Sequence, residues 1–209
     1  MILESIFPDV RGTRKTDEIA LSEESVLTSF SPEEVMPFTW SLLPYRNPLI
    51  QKSIWRLKYH SDQYTARILC AGLHSFIIEE MADLNLFYNF SNPIIIPMPI
   101  SAGRRVERGY NQCELLVSFF HDNQLDCHFE ICANILKKTR ETGDQKRLSR
   151  KERQQNLHDC FSVAEPEKIN GRNIILIDDV LTTGATLAEA KAGLEKAGAR
   201  MTVCVTLAH

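Results

Sequence analysis

Residues 173–190, NIILIDDVLTTGATLAEA, constrain the fold more tightly than any other stretch of this chain. A continuous apolar run ends in two adjacent acids, and a loop of small residues then opens into a helical pattern. A short run of this kind fits a strand buried on both faces, as in a parallel sheet. NPIIIPMPI (92–100), closed by prolines, repeats the signal, and RMTVCVTLAH (200–209) supplies a further strand. Between these runs lie helical patterns. Ile50, Ile54, Leu57 and Lys58 keep helical spacing after Pro48, and positions 68, 69, 73, 76, 77 and 81 give 64–84 a broad apolar face. QCELLVSFFHDN (112–123) and ATLAEAKAGLEKAG (185–198) read as two more helices, the second closed by Gly198. Strands alternating with helices predict an α/β fold with a largely parallel sheet flanked by helices.

The remaining segments are less regular. Residues 1–36 are acidic and polar without a sustained period, and read as loops or a short hairpin forming an arm. PFTWSLLPYRNP (37–48) reads as a surface segment, SAGRRVERGYN (101–111) as a loop, HFEICANILKKT (128–139) as one strand, and NLHDCFSV (156–163) as extended. A length of 209 residues suits one domain, or one domain with an extra lobe.

Composition excludes several classes. No apolar run approaches the roughly 20 residues that span a bilayer, so no membrane association is expected. MILESIFPDVRG lacks a basic region before an apolar core, and a cytoplasmic location is the expectation. The six cysteines, at 70, 113, 127, 132, 160 and 204, show no C-x-x-C spacing. Cys127, His128 and Cys132 lack a second ligand pair, and no zinc is expected. A net charge of −3 argues against a protein that coats nucleic acid all over. The exception is local: residues 137–153 hold eight Lys/Arg against three Asp/Glu, an excess of +5.

Asp178 and Asp179 stand where a strand of an open α/β sheet ends, the usual place for a ligand. The following helix start offers unpaired backbone N–H groups and partial positive charge. Thr182, Thr183 and Thr186 add hydroxyls, Ala185 adds a backbone N–H, and Gly184 permits close approach of the backbone to an anion. No Walker or G-x-G-x-x-G pattern is present. Carboxylates accept from sugar hydroxyls and attract Mg²⁺, so a phosphate cup beside two acids suits a ribose 5-phosphate unit.

IILIDDVLTTGAT resembles the phosphoribosyl pyrophosphate (PRPP) motif of type I phosphoribosyltransferases. Together with PMPISAGRRVERGYNQCELL (97–116), LKKTRETGDQKRLSRKERQQN (136–156), VCVTLAH and IQKSIWRLKYHSD, it resembles the ComF family, named for bacterial competence in DNA uptake. That resemblance implies a phosphoribosyltransferase-like, Rossmann-like domain over 49–209, preceded by a helical or irregular hood over 1–48. It implies that Asp178 and Asp179 are catalytic, hold the ribose hydroxyls and take Mg²⁺ directly, through water or through those hydroxyls. Pro99, Ile100, Ser101, Arg104 and Arg105 would face pyrophosphate. Lys137, Arg140, Gln145, Arg150, Arg153 and Asn156 would belong to a loop that closes over the ligand.

The implied reaction transfers phosphoribosyl to a nitrogenous acceptor. The alternative is a competence accessory protein that binds single-stranded DNA or a helicase partner, with the pocket as a regulatory site. A PRPP-sensing transcription regulator is weaker, because no helix-turn-helix segment is visible. Homodimer formation stays open. One departure stands out: the family often begins with a cysteine-rich zinc module, yet residues 1–69 contain no cysteine. The aromatics Trp40, Tyr45, Trp55 and Tyr59 are hood candidates, each fitting packing better than base stacking.

Overall fold

The apolar runs become neighbouring strands because only a sheet covered on both sides hides all of their side chains. A computed structural model of the chain describes residues 23–121, 129–139 and 160–209. Its elements are α1 (Glu23–Leu27), β1 (Glu33–Met36), β2 (Thr39–Leu43), α2 (Pro48–Tyr59), α3 (Gln63–Tyr88), β3 (Ile94–Pro97), α4 (Ala102–Arg108) and α5 (Gln112–Ser118). They continue with β4 (Glu130–Ile131), β5 (Leu136–Lys138), β6 (Phe161–Val163), β7 (Asn173–Val180), α6 (Ala185–Lys196) and β8 (Met201–Ala208). The main sheet has the order β1-β2-β8-β7-β3-β4, parallel from β2 to β4, with β1 antiparallel at one edge. β5 and β6 form a separate antiparallel pair.

Strand alternation divides the core into two layers. Ile95, Ile175, Ile177, Val203, Val205 and Leu207 pack with side chains of α2, α3 and α5 on one face. Ile94, Ile96, Ile174, Leu176 and Cys204 pack on the other, with Leu187, Ala190 and Leu194 of α6. Each fully buried Ile or Leu contributes roughly 1.5–3 kcal/mol. A one-residue slip would exchange the faces of every side chain in β7, so the register is firmly set. The 26-residue α3 starts at Asp62, whose carboxylate accepts from the N–H groups of Tyr64 and Thr65, and ends at Asn89 in the left-handed region. No helix among the described residues is long and apolar enough to cross a membrane.

Four expectations are corrected. The stretch read as a surface segment contains β2, whose five residues are all buried and which pairs in parallel with β8. The hairpin β1–β2 is therefore part of the sheet, and the boundary at residue 48 does not separate an arm from a domain. The expected single strand over 128–139 is broken by a turn at 133–134 into β4 and β5, which belong to different sheets. The expected loop over 101–111 contains α4, a helix with no buried residue, held by its caps: Ser101 accepts from the Arg104 N–H, and Gly109 takes a left-handed φ of 79°.

Candidate functional site

β7 ends in its two acids beside the ends of β3 and β8, and the loop 181–184 leads into α6. Gly184 sits at φ 73°, a conformation that favours glycine, and its carbonyl accepts the first α6 hydrogen bond, from Ala188 N–H at 2.8 Å. A Cβ there would lie 2.7 Å from Met36 Cε, so the β1–β2 hairpin rests directly on this loop. A cavity of about 270 Å³ opens at the strand ends. Asp178, Asp179, Thr182, Gly184 and Thr186 line one side, and Pro99, Ile100 and Arg104 another.

Other expected residues stand apart from that lining. The Thr183 hydroxyl accepts from Ala185 N–H at 3.5 Å, and both residues are exposed. Ser101 is the α4 cap. Arg105 turns away, donating to Glu114 Oε1 at 2.7 Å. Lys137 is exposed on β5, and its neighbour Lys138 lines the cavity instead. Arg140, Gln145, Arg150, Arg153 and Asn156 lie outside the described residues, as do Cys127 and His128. Of the four aromatic candidates, Trp40 is in the core against Phe76, and Trp55 packs on His60. Tyr59 lies under the Arg108 guanidinium, 5.0 Å from its ring centroid, and Tyr45 alone of the four lines the cavity.

Lys58 and Gln112 are contributors that the sequence reading did not place in the site, and Arg108 and Lys138 belong to basic stretches it pointed to without assigning either a place there. Gln112 Nε2 donates to Asp179 Oδ2 at 2.8 Å, while its Oε1 accepts from Arg108 Nη1 at 3.1 Å. Asn111 fixes the start of α5: its Oδ1 accepts from Cys113 N–H at 2.9 Å and its Nδ2 donates to the Met98 carbonyl at 3.0 Å. Lys58 Nζ lies 3.2 Å from Asp179 Oδ1. The end of α2 that carries it is held by Tyr110, whose hydroxyl donates to the Leu57 carbonyl at 2.6 Å and accepts from Ser61 N–H at 2.8 Å. A signal for Lys58 was present: it falls on the same helical spacing as Ile50 and Ile54, so a charge occupies an otherwise buried face.

Charge is concentrated here. Burial, and then the neighbouring Asp179, push the Asp178 carboxyl up to about 7. Its Oδ1 accepts from the Asp179 N–H at 2.9 Å and from the Cys113 thiol at 3.7 Å. Burial raises the Cys113 thiol well above its ordinary range, with Asp178 adding to the effect, so it remains a protonated donor. Burial and the nearby Arg104 lower Lys138. Carboxylate oxygens are hard donors of the kind Mg²⁺ takes, and Asp178 is the more exposed of the two acids. Among the described residues no group of three or more His, Cys, Asp or Glu can cage a metal.

Comparison with known proteins bears on the fold and the family. The phosphoribosyl transferase domain model matches residues 117–209. Competence protein F of Haemophilus influenzae is 34% identical over 154 residues, covering 72% of this chain and 62% of that protein. Competence protein ComFC of Bacillus subtilis is 30% identical over 162 residues, covering 77% of this chain and 60% of that protein.

This chain belongs to the ComF family.

Its fold is accordingly phosphoribosyltransferase-like. DNA utilization protein YhgH of Escherichia coli K12, 34% identical over 105 residues, covers 50% of this ComF chain and 44% of its own length. The chain thus spans less than two thirds of the relatives it matches. A hypoxanthine phosphoribosyltransferase from Staphylococcus aureus aligns with 69% of this chain and 63% of its own at 16% identity and a TM-score of 0.35. The fold assignment rests on the strand order and the domain match rather than on that superposition.

Proposed function

We propose that this ComF chain binds PRPP with Mg²⁺ at the carboxyl ends of β3 and β7 and transfers its phosphoribosyl group to a nitrogenous acceptor, releasing pyrophosphate. One observation carries the reading: acids, a Thr/Gly helix start and the cations Arg104 and Lys138 line a single cavity. The backbone N–H groups at the start of α6 and the hydroxyls of Thr182 and Thr186 suit the 5-phosphate. Arg104 and Lys138 suit the pyrophosphate, and Pro99 and Ile100 shape the wall beside it.

Asp178 accepts from the ribose hydroxyls and offsets the positive charge that develops on the ring as pyrophosphate leaves. Mg²⁺ held by Asp178, with Asp179 behind it, would neutralise charge on the departing oxygens. The nitrogen nucleophile then attacks the opposite face of C1; of the four aromatic candidates, Tyr45 is the one that lines the cavity. Calorimetry with PRPP and Mg²⁺ on the parent chain and on Asp178→Asn tests the binding half. Pyrophosphate release across a panel of bases and amines tests the transfer half. Heat from the parent chain, lost in the variant, is the expected result; no heat from the parent overturns the reading.

The names of the relatives favour a setting for this chemistry. Proteins called competence or DNA utilization proteins match over half or more of the chain, which supports a role in handling incoming DNA. Salt-dependent retention of single-stranded DNA, or capture of a helicase partner, tests the version in which the pocket regulates that role. A cytoplasmic location and a homodimer belong to the same proposal, checked by cell fractionation and by light scattering.

A further inference from the structure

Neighbouring residues of a strand point to opposite faces. Asp179 has the parity of Ile175 and Ile177, which pack on the α2, α3 and α5 side. Asp178 has the parity of Ile174 and Leu176, which pack on the α6 side. The consequence shows in their partners. Both oxygens of Asp179 are engaged by side chains of the first face: Oδ1 with Lys58 Nζ at 3.2 Å and Oδ2 with Gln112 Nε2 at 2.8 Å. The ion pair is nearly withdrawn from water, with side-chain exposures of 12% for Lys58 and 7% for Asp179. Asp178 is more exposed than Asp179, and its Oδ1 accepts from a backbone N–H and a thiol rather than from a cation.

Asp179 already accepts one charge-assisted contact on each oxygen and is nearly buried, so its charge is balanced by a cation and its remaining lone pairs face away from water more than those of Asp178 do. Lys58, by contrast, lines the cavity with Arg104, Arg108 and Lys138. A compact ammonium acts on an anion across several ångströms without leaving its carboxylate. We propose that the two acids divide their work: Asp178 meets the ligand, while Asp179 is a positioning residue that holds the Lys58 ammonium at the cavity as a resident cation for an anionic ligand. The inference rests on the reading of the cavity as a PRPP site and assigns its two acids unequal roles. A resident cation supplies part of the charge neutralisation that Mg²⁺ otherwise provides, so binding should depend less steeply on Mg²⁺ while Lys58 is present.

The test uses the full chain, with Lys58→Gln, Lys58→Arg, Asp178→Asn, Asp179→Asn and the double variants. PRPP and inorganic pyrophosphate are titrated separately, each with Mg²⁺ and with a chelator. Lys58→Gln should weaken both ligands about tenfold or more without Mg²⁺ and about threefold or less with it, the loss expected for one charged contact. Lys58→Arg should restore most of the affinity. Asp179→Asn should add about twofold or less once Lys58 is Gln, whereas Asp178→Asn should weaken PRPP equally in either background.

Thermal unfolding reports the pair without any ligand. Either single change should lower the midpoint by roughly 5–15 °C, and the double variant should lose less than the sum. Additive losses there, or a Lys58→Gln chain that binds pyrophosphate as the parent does, overturn the inference. If the parent binds pyrophosphate but not PRPP, the PRPP reading falls and the role of Lys58 is judged on pyrophosphate. If the parent binds neither, both fall.

Discussion

Gly184→Ala separates two costs at the helix start, torsional and steric. The residue sits at φ 73°, where a side chain costs about 1–2 kcal/mol. The added Cβ would also lie 2.7 Å from Met36 Cε and 3.1 Å from Met36 Sδ. Because those atoms end a flexible side chain, the overlap should cost about 1 kcal/mol, the low end for overpacking. Gly171 provides the comparison: at φ 69° it has nothing within 4 Å of where a Cβ would stand, so Gly171→Ala carries the torsional cost alone. At about 2–4 °C per kcal/mol for a chain of this size, Gly184→Ala should lower the unfolding midpoint by roughly 4–12 °C and Gly171→Ala by roughly 2–8 °C. In the Gly184→Ala background, Met36→Ala should cost less than it does alone, because it removes the overlap. Differential scanning calorimetry on the parent and the four variants reads all of these. Equal losses for both glycine variants, with Met36→Ala strictly additive, would refute the contact between the hairpin and the loop.

His74 is buried against the rings of Phe120 and Phe129, at 5.6 and 6.0 Å, and its Nε2 has no hydrogen-bond partner among the described residues. Burial holds its pKa below the ordinary value, so the unfolded chain binds more protons as pH falls through about 6.5. Stability from this site is complete above that pH and declines below it; urea unfolding at pH 7, 6 and 5 should show a flatter slope for His74→Leu. Asn111→Ala removes the α5 cap and leaves the Met98 carbonyl without its side-chain donor, and should cost about 1–2 kcal/mol by urea unfolding. Arg104 and Arg105 should differ despite adjacency. Arg104→Ala weakens pyrophosphate binding by calorimetry, whereas Arg105→Ala removes only an exposed pair with Glu114, a change of about 0–1 kcal/mol in stability.

The parallel strands and the helices of the main layers were legible because their burial is written as continuous runs or helical spacing. β7 and α6 follow directly from NIILIDDV and ATLAEAKAGLEK. β2 was not legible: five residues between proline-rich flanks carry no period long enough to read, and their burial depends on a partner strand more than 160 positions later. α4 lacked an apolar face, so only its caps, Ser101 and Gly109, announced it. In the site, residues within a motif could be assembled from sequence, since a loop and its helix start are local. The Lys58–Asp179 and Gln112–Asp179 contacts join three separate elements, and no local pattern specifies them. Arg105 shows the converse: its motif points to the cavity, but the turn of α4 directs it to Glu114.

The position of β8 between β2 and β7 has a consequence for synthesis of the chain. β2 leaves the ribosome early, yet its parallel partner ends only at Ala208, and β3 likewise waits for β7. At roughly 5–20 residues per second, β2 spends on the order of 10–30 s without the strand that completes it. During that time Trp40, Leu42 and Leu43, all buried in the finished fold, have no sheet to enter. β7, which carries Asp178 and Asp179, is made just before β8, which joins β2 to it, so the cavity and the closed sheet are completed in close succession.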